Sequence, residues 1–209
     1  MVNMLPIFDT SEKIEFKAVF PNHLNDFISF DADFFGAHAF LYAYRGNKST
    51  FNAYRREVER LLHWSWRQAK KSIFTLHRTD IEAYIDFCQA PPASWIGLSK
   101  PARFLLKDGL RVPNPNWRPF VATVSKLAAR SGEKPNKNDY LLSEKAFRDV
   151  FSVLSSFYNF LIQDEYTKIN PITLIRQKSK HFRKTQGQKK IRRLSDLQWG
   201  FVIETAEWM

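Results

Sequence analysis

Apolar residues recur at helical spacing along most of the chain. The first clear amphipathic run is Asp31 to Arg45, where Phe34, Phe35, His38, Ala39, Leu41 and Tyr42 share a period near 3.6 and Gly46 offers a stop. A second helix is predicted from Ser49 or Thr50, either able to cap free N–H groups, to about Lys71. Its stripe is Tyr54, Val58, Leu61, Leu62 and Ser65, which leaves Arg55, Arg56, Arg60 and Arg67 largely off the stripe and available to a partner. A third opens on a Thr79 to Glu82 capping box and buries Ile81, Tyr84, Ile85 and Cys88. The longest stripe is Phe147, Val150, Phe151, Leu154, Phe157, Tyr158 and Leu161, capped by Ser143, with Lys145 and Arg148 on other faces.

Between these helices, residues 90–119 break the pattern. Six prolines lie there, a density no sustained helix tolerates. Arg103-Phe-Leu-Leu and Leu110-Arg-Val flank Lys107, Asp108 and Gly109 and read as a hairpin with a Gly-containing turn. Trp95, Trp117 and Phe120 are expected to pin this stretch to the domain. Its Arg103, Lys107, Arg111 and Arg118 are within reach of a polyanion, although a solvated loop is the simpler reading. A short helix is expected over Phe120 to Arg130. Residues 1–30 show no firm period and are read as an irregular lead-in.

Charge changes the picture. The 209 residues carry 32 Lys+Arg against 21 Asp+Glu, a net +11. Residues 45–71 hold +6 of this, and residues 176–193, RQKSKHFRKTQGQKKIRR, hold +9 without one acidic residue. Such clustering is the footprint of a polyanion binder, because cations on phosphates release condensed counterions. With 44% apolar and 15% aromatic residues a packed core is expected, not disorder. No apolar run approaches a membrane span and no signal peptide is read, so no membrane partner is expected. The single cysteine, Cys88, fits a reducing, cytoplasmic location and a packing role.

Three segments in order resemble the tyrosine site-specific recombinases, the phage integrase and Xer group. They are STFNAYRREVERLLHW (Ser49 to Trp64), LSEKAFRDVFSVLSSFYNFLIQDEYTKINPITLI (Leu142 to Ile175) and IRRLSDLQWGFVIETA (Ile191 to Ala206). The resemblance covers roughly residues 30–209. It implies an all-α, SAM-like core-binding bundle over 30–178, interrupted by a Pro-rich insertion at about 90–138. After it would come a basic interdomain linker, 179–193, and the first helix of an incomplete catalytic domain, 194–209. The implied partner is double-stranded DNA at a recombination site, bound with a possible homo-oligomer forming on it and with no small-molecule substrate. Ser49, Thr50, Tyr54 and Arg55 match the helix-opening motif, and Lys145 and Arg148 fall in the helix that faces the duplex in that family. With Arg56 and the linker cations Arg183, Lys184, Lys189, Lys190, Arg192 and Arg193, they form the expected DNA-contacting set; Tyr54 is assigned to packing. A basic tether of this kind follows the DNA backbone and raises the effective concentration of a second clamp half.

Catalysis in that family needs a tyrosine nucleophile surrounded by arginines, a lysine and histidines or a tryptophan. The last tyrosine here is Tyr166, before the linker, and no His-x-x-Arg occurs. Arg130-Ser131-Gly132-Glu133 and His181-Phe182-Arg183-Lys184 are superficial matches only. No catalytic residue is therefore assigned, and this chain alone is expected to be inactive. The five histidines lack metal-ligand spacing and the glycines form no phosphate loop, so neither metal nor cofactor is expected. The competing reading is a helical regulator or protein-interaction module outside recombination, docking through apolar residues of Leu194 to Met209.

Overall fold

In the computed structural model, which describes residues 4–175 and 196–207, three helices carry the core. They are α1 (Asp31–Ala43), α2 (Lys48–Trp64) and, much later in the chain, α5 (Glu144–Gln163). Between α2 and α5 lie α3 (Arg78–Gln89), β1 (Ile96–Gly97), β2 (Phe104–Lys107), β3 (Leu110–Pro113), β4 (Phe120–Val121) and α4 (Lys126–Arg130). Helix α6 (Asp196–Glu207) is the last described element, and its Trp199, Phe201 and Ile203 side chains are exposed. No helix among the described residues is long and apolar enough to cross a membrane.

The stripe read for α5 is buried throughout, with Val153 added to it. Ser143 caps it by accepting the Ala146 N–H at 3.2 Å. The α3 stripe is likewise buried, Cys88 included. At its start His77 is the cap, and the Asp80 carboxylate accepts the His77 N–H at 2.9 Å, so the helix begins before the expected box. Helix α2 is capped by Asn47, whose side chain accepts from Thr50 N–H at 3.0 Å, so Ser49 and Thr50 lie inside the first turn. A π turn over Ser65–Ala69 extends α2, and left-handed Lys70 ends it.

The all-α expectation is corrected by the segment between α3 and α5. Among the described residues the fold is mixed α/β, about 54% helical with four strands in two small sheets. Strands β2 and β3 pair antiparallel, Lys107 opposite Leu110, around a two-residue Asp108–Gly109 turn. Both turn residues have positive φ, 51° and 75°, the geometry that makes Asp-Gly a favoured tight turn. Strands β1 and β4 pair in parallel, Ile96 with Phe120 and Gly97 with Val121. The physical reason is backbone satisfaction: prolines exclude a helix here, but the remaining N–H and C=O groups still need partners and find them across strands. Phe120 accordingly sits in a strand, and the helix expected from it begins only at Lys126. Trp95, Trp117 and Phe120 are buried and anchor the insertion.

The N-terminal stretch is also part of the body. Met4, Ile7, Phe8, Leu24 and Phe27 join the core, and residues 22–30 form 3-10 turns. Helix α1 is buried on most sides, as its nearly continuous apolar sequence requires. At the far end of the core Asn170 docks the Ile169 to Ile172 turn onto α5, donating to Ser155 O at 3.0 Å and Asn159 Oδ1 at 2.8 Å.

Candidate nucleic-acid interface

A cleft of about 620 Å³ opens between α2, the strand-bearing insertion and the start of α5. Helix α2 contributes Asn52, Arg55, Arg56, Glu59 and Arg60 to its lining; the insertion contributes Lys100, Arg103 and Arg118; the start of α5 contributes Ser143, Lys145 and Asp149. Seven cationic side chains thus face two carboxylates. The juxtaposition arises because Ser143 starts α5 beside the middle of α2, and because the parallel β1–β4 pair folds the insertion across the same place.

These cations are not equivalent. Half-buried Arg103 forms an ion pair with buried Glu59, its Nη2 donating to both carboxylate oxygens. Arg60 donates from Nη1 to both oxygens of buried Glu57, at 3.2 and 3.0 Å, and from Nε to Pro119 O at 2.8 Å. Burial disfavours the Arg60 charge, but the adjacent Glu57 outweighs it and holds the guanidinium above its ordinary pKa. Arg56 shares that same Glu57, so one carboxylate serves two guanidinium groups. Arg118 donates to the carbonyls of Pro115 and Trp117, at 2.7 and 2.6 Å, neither of which carries a countercharge. Lys100 and Lys145 are exposed and take part in no ion pair among the described residues. The cleft surface is therefore positive after its internal pairs are discounted.

Arg55 has a different place from the one its helical position suggests. It is only 8% exposed, donates to Asp9 O and to Asn52 Oδ1, the latter at 2.8 Å, and leaves its Nε without a partner. Burial, and then the neighbouring Arg103 charge, bring its pKa down to about 10. It ties the N-terminal segment to α2 and presents little surface to a ligand.

Of the other residues selected from sequence, Arg56 and Lys145 line the cleft together. Ser49 is exposed and Thr50 half-buried in the first turn of α2, outside the lining set, and Arg148 is exposed on α5 and paired with Glu144 four residues earlier. Arg183, Lys184, Lys189, Lys190, Arg192 and Arg193 lie outside the described residues. Lys100 and Asn52 also line the cleft, without a local sequence signal that marks them. Lys100 sits in a Pro-rich stretch with no periodicity to assign it a face, and Asn52 reads locally as one more polar helix position.

No group of three or more His, Cys, Asp or Glu among the described residues is placed to hold a metal ion. Cys88 is buried and its thiol pushed up to about 12 by that burial, which suits packing and not nucleophilic attack. His63 is fully buried, and burial followed by the charges of Arg67 and Arg103 keeps it neutral. Compared with protein-family models, curated proteins and solved structures, the chain matches none.

Proposed function

We propose that this protein binds duplex DNA through the α2–insertion–α5 cleft, with the basic 176–193 segment as a second contact, and that it does so as the DNA-holding part of a tyrosine recombinase. The observation that carries the reading is the surplus of positive charge in one cleft: Arg56, Arg118, Lys100 and Lys145 are left without full compensation while the remaining cleft arginines are used internally. Planar guanidinium and flexible ammonium groups along an open cleft suit the repeated phosphates of a nucleic-acid backbone better than a single small anion. The recombination part rests on the order of the three sequence segments, two of which, at α2 and at the start of α5, meet at this cleft.

The test is titration of a labelled duplex of about 30 base pairs by fluorescence anisotropy between about 50 and 200 mM salt. Tight binding that weakens steeply with salt is expected. Failure to bind any duplex at the low-salt end overturns the reading. Replacing Lys189, Lys190, Arg192 and Arg193 by Ala is expected to flatten the salt dependence, and an unchanged slope removes that segment from the interface.

A further inference from the structure

The β2–β3 hairpin starts at the cleft wall and ends in an exposed apolar tip that carries Lys107. Its foot is fixed: Asn114 donates from Nδ2 to Ala102 O at 2.6 Å and from its backbone N–H to Arg103 O at 2.8 Å, and Arg103 is held by Glu59. Arg111, farther out, is paired with Asp9. The tip has no such cover. Leu106 is 76% and Leu110 70% exposed. In the antiparallel register Leu106 faces Arg111 across the strands and Lys107 faces Leu110. Directly opposed residues share a face and successive ones alternate, so near the tip Leu106 and Arg111 share one face, and Leu110 and Lys107 share the other with exposed Leu105 behind them.

We propose that this hairpin is a groove-reading finger: it enters the major groove of the duplex held in the cleft, with Leu106 and Leu110 against thymine methyl groups and Lys107 on a guanine edge. The proposal rests on the DNA-binding reading of the cleft. Continuity supports it, because Lys100, Pro101 and Arg103 at the hairpin's foot also line that cleft. Size supports it too. Four-residue strands at about 3.3 Å per residue reach about 13 Å, beyond the ~8.5 Å depth of the major groove. A two-stranded ribbon fits the ~12 Å width of that groove and not the ~6 Å of the minor groove. A tip serving only solubility would not carry a leucine on each face; apolar side chains of this kind discriminate thymine by its methyl group.

The experiment is selection from a pool of duplexes with about 20 randomised base pairs, using the wild type and a Leu106→Ser/Lys107→Ala/Leu110→Ser variant. All three positions are exposed, so circular dichroism and thermal melting should show the variant folded like the wild type. The wild type is expected to enrich a motif containing a contiguous block of a few base pairs that includes thymine. The variant should still bind the pool but lose that block, and its affinity for the wild-type motif should fall about tenfold. Uracil in place of thymine within the block should weaken the wild type and leave the variant unchanged. Enrichment of the same motif with the same affinity by the variant, or of no motif by a wild type that binds duplex, overturns the finger and leaves the cleft standing. A wild type that binds no duplex overturns both. Unchanged duplex recognition by a variant that has lost binding to anionic vesicles or to another protein assigns the tip to that partner and overturns its role in the groove.

Discussion

Buried Glu59 of α2 and half-buried Arg103 at the foot of the β2–β3 hairpin form an ion pair that joins three distant parts of the chain. Glu59 is 1% exposed, and its Oε1 also accepts the backbone N–H groups of Ile7 and Phe8, at 2.5 and 3.3 Å. Arg103 returns the contact by donating to Phe8 O at 3.2 Å and lying over the Trp117 ring, 4.8 Å from its centroid. Helix α2, the N-terminal segment and the insertion meet at this one carboxylate.

Removing one partner strands a charge away from water, which is far more costly than replacing both. Arg103→Met should lower stability by about 3 kcal/mol, read as a shift of the urea midpoint. Adding Glu59→Met should restore part of that loss. A double variant no more stable than Arg103→Met alone would show that the stranded Glu59 charge is not what makes the single replacement costly.

Asp33 is a second buried carboxylate and carries a pH dependence. Its Oδ2 accepts from Trp66 Nε1 at 2.9 Å and from Ile73 N–H at 3.0 Å, and its Oδ1 accepts from Ser72 Oγ. Burial raises its pKa above the ordinary 3.8, against the lowering effect of those hydrogen bonds. The folded state then holds the proton more tightly than the unfolded state. Its contribution is fully present below 3.8 and is lost as pH rises through the folded value. Asp33→Asn keeps acceptors for Trp66 and Ile73 without the charge, so stability relative to wild type should increase across that pH window, measured by thermal melting. Asp33→Ala should cost about 1–3 kcal/mol for each buried donor left unpaired.

The cleft makes its own numerical prediction. Arg56→Ala, Lys100→Ala and Lys145→Ala together should reduce the slope of log affinity against log salt by about 2 to 3, at roughly 0.9 per lost phosphate contact. Lys100 and Lys145 are exposed and Arg56 largely so, and the thermal midpoint should therefore move little. A slope that does not change would place the phosphates elsewhere.

Gly36 sets the approach of α1 to α5. A Cβ built there lies 3.2 Å from Leu161 Cδ2 and 3.2 Å from Phe74 Cζ. Gly36→Val adds branches in that space and should destabilise by about 1–3 kcal/mol despite the better helix propensity of a non-glycine residue. Equal stability by urea denaturation would show that the two helices can separate freely.

The helices α2, α3 and α5 were legible because their signals are local: apolar residues three and four apart lie on one face whatever the rest of the chain does. The β2–β3 turn was legible for the same reason, since Asp108–Gly109 specifies its own backbone. The basic character of α2 and of residues 176–193 is likewise a property of composition. What the chain does with those charges is not local. Nothing around Arg55 marks it as buried, nor Glu59 as its enclosed neighbour on the same helix, because their partners arrive from positions 9 and 103. The all-α expectation failed in the same way, at a parallel pairing of β1 with β4 that brings together residues 96 and 120. Sequence alone determined where α1, α2, α3 and α5 lie and where positive charge accumulates. Tertiary structure decided which arginines are spent inside and which cations face one cleft, because burial and ion pairing are settled by long-range chain returns.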